Sequence, residues 1–280
     1  MIKGIDVSAG QGNIDWKQVK KAGYSGVIIR SSYGWTHVDA CFKANVEGAL
    51  KEGFEVGFYH FLYCVTPEET IQNAQLFYET VKPYLSKSTL GCWTDWEYDS
   101  DNYARRRGYS FTKSQRTDLV KLFAEQCKAR GMKIGIYANY DYLENYFNPL
   151  TEYPLWLACW GPKERPTRYA NVIWQWTDNV KVPGVYGNRG VCDGDYFYGS
   201  SEASKPVVNH KVIIPGMRGE EVAEMQRLLI SHGYSCGKTG ADGIYGAKTK
   251  EALGAYQAEH PECGPVDYKC GPKTWGSLLS

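Results

Sequence analysis

Asp95 and Glu97 stand two residues apart in the aromatic stretch CWTDWEY, residues 92–98. Alternate side chains of an extended strand share a face, so both acids point the same way, about 6.6 Å apart at Cα. Trp93 falls on that face, and Trp96 and Tyr98 fall on the other. Two neighbouring carboxyls compete for ionisation, and desolvation by Trp93 and Trp96 adds to the pressure on one of them to keep its proton. A protonated carboxyl beside an ionised one suits glycoside hydrolysis, where one acid protonates the leaving oxygen and the other stabilises the positive charge that develops. The longer stem of Glu97 reaches further into a cleft, so Glu97 is the expected acid and Asp95 its anionic partner. The Cα spacing leaves retention and inversion both open.

Two further acids belong with this pair if the chain folds as its pattern suggests. Strand-like runs at 2–8, 25–32, 55–63, from about 90, 132–139, 154–160, 171–177 and 190–197 make eight strands. Helical segments separate the first five: a short one ending at Gly23, one ending at Gly53, PEETIQNAQLFYETV and KSQRTDLVKLFAEQCKAR. Thr66 with Glu69, and Thr112 with Gln115, have the spacing of capping boxes. The polar stretch DSDNYARRRGYSF reads as a connection. Later connections are short and carry Pro162, Pro166 and Pro183, which disfavours full helices. Repeated strand–helix units predict an α/β fold with a parallel sheet, closed as a modified, irregular (β/α)8-like barrel. Working groups in such barrels gather at the C-terminal ends of the strands. Asp6 near the end of the first strand and Asp193 in the last strand region would therefore meet Asp95 and Glu97 on one rim.

Other chemistries fit less well. A hard cation held by Asp6, Asp95, Glu97 and Asp193 is the nearest alternative, but no Asp/Asn-rich loop or phosphate-cradling glycine motif accompanies the acids. G-x-S-x-G is absent, and His60 in FYHF reads as a strand histidine with a structural or orienting role. No metal and no cofactor is expected. The nine cysteines form no C-x-x-C pair and lie mostly in apolar runs, as small buried hydrophobes. Cys236, Cys263 and Cys270 are candidates for a bridge.

Composition narrows the partners. A net charge of +1 offers no basic field for nucleic acid or an anionic membrane, and no apolar run is long enough to span a bilayer. MIKGIDVSAG lacks the apolar core of a signal peptide, so the expected location is the cytoplasm, with action on its target after release by a holin-type or other non-classical route. After Tyr198, GSSEASKPVVNHK reads as a linker. EEVAEMQRLLISHG, GAKTKEALGAYQAEH and GPKTWGSLL follow as three helices of a small separate domain. The expected boundaries are 1–198, 199–210 and 211–280.

KGIDVSAGQGNIDW, GFYHF, WTDWEY, IGIYAN, LWLACW and IWQWTD, in this order, resemble the glycoside hydrolase family 25 lysozymes, the Chalaropsis-type N-acetylmuramidases. RGEEVAEMQRLLISHGY, DGIYGAKTKEALGAYQ and CGPKTWGSLL resemble the PG_binding_1 peptidoglycan-binding module. Together they are similar to phage endolysins and bacterial autolysins. The resemblance implies cleavage of the β-1,4 bond between N-acetylmuramic acid and N-acetylglucosamine. It places the general acid at Glu97, a partner acid that orients the 2-acetamido group at Asp95, and further rim aspartates at Asp6 and Asp193. The family usually shows Asp-x-Asn where this chain has CDGDYF, and Asp193 is favoured over Asp195. Tyr59, Tyr137, Trp160 and Gln175 fall at strand ends where the family lines its saccharide groove, and Arg30 replaces its usual lysine. The implied partner is bacterial cell-wall peptidoglycan, bound by a monomer without membrane insertion. Two rivals remain: a wall-binding protein without turnover, and a chitinase-like glycosidase.

Overall fold

A computed structural model describes residues 1–164, 171–198 and 211–279. These fall into two compact units, 1–164 with 171–198, and 211–279. The expected linker, 199–210, lies outside the described residues.

In the first unit, β1 (Ile2–Val7) leads through α1 (Trp16–Lys21) to β2 (Gly26–Tyr33), which turns back as the two-residue β3 (His37–Val38). Then follow α2 (Phe42–Lys51), β4 (Glu55–Phe61), α3 (Pro67–Val81), β5 (Ser88–Asp95), α4 (Tyr98–Arg106), α5 (Lys113–Lys128) and β6 (Ile134–Asn139). β7 (Leu155–Ala158), β8 (Asn171–Lys181) and β9 (Val191–Phe197) complete the sheet. Its order is β1-β9-β8-β7-β6-β5-β4-β2-β3, and β1 also pairs with β2, so eight strands close into a barrel with β3 outside it. Among the described residues all five α-helices of this unit precede β6, four of them expected from the pattern, and a short π-helix at Tyr142–Tyr146 follows it.

Two local expectations change. The sheet is not wholly parallel: β9 runs antiparallel to both β8 and β1. The connection from β8 to β9 holds one short 3-10 turn at Asn188–Gly190, too little chain for the helical crossover a parallel strand needs. The polar stretch after Tyr98 is also not a plain connection, because Tyr98–Arg106 is helical. Its apolar positions are few, and what anchors it is a buried polar contact described below.

The caps show how local sequence sets the helix starts. Thr66 Oγ1 accepts the Glu69 N–H at 3.2 Å with Pro67 at the first helical position, and Thr112 with Gln115 makes a reciprocal box. At α3 the return arm differs from the expected box, since Glu69 Oε2 accepts from Val65 N, one residue earlier.

Strand alternation separates two apolar layers. Val27, Ile29, Val56, Phe58, Cys92, Ile134, Ile136, Leu155 and Leu157 pack with the helices. Ile28, Tyr59, Trp93, Tyr137, Trp156, Ala158, Ile173 and Phe197 fill the barrel interior. The inner rings need room on facing strands. A Cβ on Gly135 would run into the Trp93 ring, and one on Gly4 would run into Phe197. His60 faces the helix side, fully buried, between Ser32 Oγ and Asn73 Oδ1, each at 2.8 Å. Burial lowers its pKa to about 4, so it is a neutral structural group.

The second unit contains α6 (Glu220–Ser231), α7 (Ala247–Glu259) and α8 (Pro272–Leu278) around Val222, Met225, Leu229, Leu253, Tyr256 and Trp275. Two buried glutamines tie its loops in the same manner. Gln226 Nε2 donates to Asp242 Oδ1, Ile244 O and Thr249 Oγ1. Gln257 Nε2 donates to Asp267 Oδ1, Lys269 O and Thr274 Oγ1. The unit is thus built on a repeated knot, legible as Gln followed by Asp and Thr seven residues apart. Cys236, Cys263 and Cys270 are buried free thiols, as are all the other cysteines except the half-buried Cys41.

Candidate active site

β5 ends at Asp95, and the chain leaves it in extended form through Glu97 (φ −130°, ψ −173°), which is the cap residue of α4. The expected shared face therefore holds, although Glu97 stands just past the strand. Trp96, 1% exposed, goes into the helix-side core. Its indole N–H donates to Asp101 Oδ1, which also receives Arg116 Nε at 3.0 Å, while Asp101 Oδ2 receives the Tyr142 hydroxyl at 2.8 Å. This buried knot fixes the first turn of α4 and with it the direction of Glu97. The Glu97 N–H is held by Ser100 Oγ at 3.2 Å.

Asp6 comes to the same rim from β1. It pairs in register with Asp193 on β9, whose antiparallel course brings its N-terminal end to the rim where the parallel strands finish. Asp6 lies within hydrogen-bonding reach of both Asp193 and Asp195. The two β9 aspartates both face inward, and Asp195 sits one layer deeper, opposite Gly4. The choice between them is thus not exclusive, because the rim residue is Asp193 and Asp195 lies beneath it. The two-residue alternation D-G-D was the available signal.

Burial raises every member of this group. Asp95 is held well above the ordinary carboxylate range by burial, then by Glu97 and Asp6, with Arg30 offsetting part. Glu97 is raised by burial, and a hydrogen bond with Tyr137 works against the rise. Burial and Asp6 push Asp193 up to about 9, and burial lifts Asp195 to about 8. Asp6 is raised well above its usual value by burial and by Asp195. Asp95 Oδ1 is buried with no protein donor. Among the described residues no group of His, Cys, Asp and Glu could hold a metal ion.

The five expected groove residues take different roles. Gln175, 3% exposed, is a hub below the surface: Nε2 donates to Asp6 Oδ2 at 2.9 Å, and Oε1 accepts Tyr137 Oη at 3.2 Å and Trp160 Nε1 at 3.1 Å. Tyr59 and Tyr137 are buried and pack edge-on against Trp156. Trp160 is 58% exposed and lines a cleft of about 620 Å³ with Glu97, Tyr98, Tyr137 and Asn139. Arg30 is partly buried, and its Nε donates to Asp39 Oδ2 at 2.8 Å.

A barrel with clustered rim carboxylates beside an aromatic cleft defines the glycosidase class, and similarity to known proteins makes the family specific. Residues 5–185 match the model of Glycosyl hydrolases family 25, and residues 218–278 match that of the Putative peptidoglycan binding domain. The chain belongs to glycosyl hydrolase family 25. It is 28% identical over 263 residues to the autolytic lysozyme of Clostridium acetobutylicum, covering 92% of this chain and 73% of that protein. It is also 28% identical to Lysozyme M1 of Streptomyces globisporus over 223 residues, 75% of this chain and 72% of that one. Among solved structures, the family 25 glycosyl hydrolase of Bacillus anthracis superposes with a TM-score of 0.59 at 26% identity, covering 72% of this chain and 91% of that one.

Proposed function

We infer that this chain is a lysozyme that hydrolyses the β-1,4 bond between N-acetylmuramic acid and N-acetylglucosamine in bacterial peptidoglycan, with Glu97 as general acid. The observation that carries the assignment is the placement of Glu97, which lines the cleft, beside the buried Asp95. Burial raises both carboxyls there, and neither makes an ion pair among the described residues. The raised Glu97 keeps a proton to give to the glycosidic oxygen. In this reading the Asp95 carboxylate accepts the N–H of the 2-acetamido group and turns its carbonyl oxygen toward the anomeric carbon. Water then completes hydrolysis with Glu97 as base. Asp6 and Asp193 complete the acidic rim, and Trp160 presents an aromatic face to a sugar ring.

In this reading residues 1–198 form the catalytic domain, 199–210 a linker, and 211–280 a module that holds the enzyme on the wall. Glu97→Gln keeps the shape of the side chain and removes the proton. Lysis of purified walls should fall about 10²–10⁴-fold in that variant. Lysis near the wild-type rate would overturn the assignment. Products ending in reducing N-acetylmuramic acid, read by mass spectrometry, separate this activity from a chitinase-like one.

A further inference from the structure

Asp195 has no role in the scheme above, yet its surroundings are demanding. It is fully buried. Oδ1 accepts the Trp156 indole N–H at 2.8 Å, and Oδ2 is buried without any N–H or O–H donor. An ionised carboxylate there would have a single neutral donor and, among the described residues, no counter-charge, which is strongly unfavourable. The charged and polar groups facing it are Asp6 from β1, the Trp156 indole from β7 and Asp193 from its own strand. Gln175 of β8 is the cross-strand partner of Asp195, but its amide N–H donates to Asp6 Oδ2. Tyr59 of β4 and Tyr137 of β6 bear on Asp6, and Asp95 of β5 bears on both tyrosines. Arg30 of β2 turns to Asp39.

We propose that Asp195 is a positioning residue that holds one proton in common with Asp6, clamping the Asp6 carboxyl between this buried acid and the Gln175 amide. The pair then carries one negative charge, no bond is made or broken, and it titrates as a unit. The lift of Asp195 to about 8 by burial agrees with a proton retained at neutral pH. The clamp supports the reading of Asp6 as a rim acid, so it rests in part on the lysozyme assignment.

Two measurements test it. Infrared difference spectra at neutral pH compare the wild-type chain with Asp195→Asn and need no turnover, so they stand whatever Glu97→Gln does. Above the bands of the other protonated carboxyls, such as Asp193 and Glu97, which both proteins share, the wild type should show one further protonated-carboxyl carbonyl band, and equal bands in the two would overturn the proposal. Wall lysis then compares Asp195→Asn, whose amide still carries a donor toward Asp6, with Asp195→Leu, which carries none. Asp195→Asn should be about tenfold or more faster than Asp195→Leu, the usual consequence of restoring a donor to a buried acceptor. Equal impairment of two variants with wild-type circular dichroism would refute the clamp.

Discussion

At Asp193 the folded and unfolded chains differ in what they do with a proton. Burial and Asp6 lift this carboxyl to about 9, against an ordinary 3.8. Between those values the folded protein keeps a proton that the unfolded chain has released. Stability therefore falls as pH rises through that window and levels off above about 9. This is opposite in sign to an ion-paired aspartate, which loses stability toward acid. Asp193→Asn removes the ionised form, so its thermal midpoint should decline less than that of the wild type between about pH 5 and about pH 8, each proton removed being worth about 1.4 kcal/mol per unit. Parallel melting curves for the two proteins would show that Asp193 is not held protonated. Glu97 is raised for a related reason, burial, which extends its acid form above the usual range.

At the scale of elements, α4 shows how a polar segment comes to hold the site. The helix buries Ser100, Asp101 and Ala104 but no large apolar side chain, so hydrophobic period carries no signal there. Its anchor is Asp101, which receives Trp96, Arg116 and Tyr142 from three other parts of the chain. The Arg116–Asp101 pair is nearly closed to solvent, and removing one partner of such a pair leaves an uncompensated buried charge. Asp101→Ala should cost about 3–5 kcal/mol in chemical denaturation of the first unit. It should also lower turnover, because the first turn of α4 directs Glu97. A cost below about 1 kcal/mol would mean that the pair is screened like a surface one. β9 makes a complementary point: only its antiparallel course brings Asp193, near its start, to a rim formed by the ends of the other strands.

The whole molecule contains two units with separate cores, one in and around the barrel and one around Trp275. A barrel that carries its own acids and cleft should not need the second unit for chemistry. Residues 1–198 alone should therefore hydrolyse soluble glycan fragments at the full-length rate. On insoluble walls the truncated form should need about a hundredfold more enzyme, because tethering raises the local concentration of the active unit. Sedimentation with purified walls measures the binding, and release of reducing sugar measures turnover. Equal sedimentation of both forms would remove the wall-holding role of 211–280.

The eight barrel strands, four of the five α-helices before β6 and the three helices of the tail were legible because each has a regular apolar period or a cap. The D-x-E pair was legible for a similar reason, since its extended run puts both acids on one face. Strand direction at β9 and the helix at α4 were not, because neither depends on local period: one follows from the length of a connection, the other from a buried ion pair with a distant arginine. Gln175 looked like a groove residue by its place at a strand end, whereas contacts with Asp6 of β1, Tyr137 of β6 and Trp160 just past β7 make it the hub beneath the groove. The sequence by itself determined which acids exist and on which strands, since strand alternation is a property of neighbouring residues. Only the tertiary structure decided how deeply these carboxyls are buried and that Asp195 lies beneath the rim, because desolvation depends on what closes around a carboxyl from the far ends of the chain.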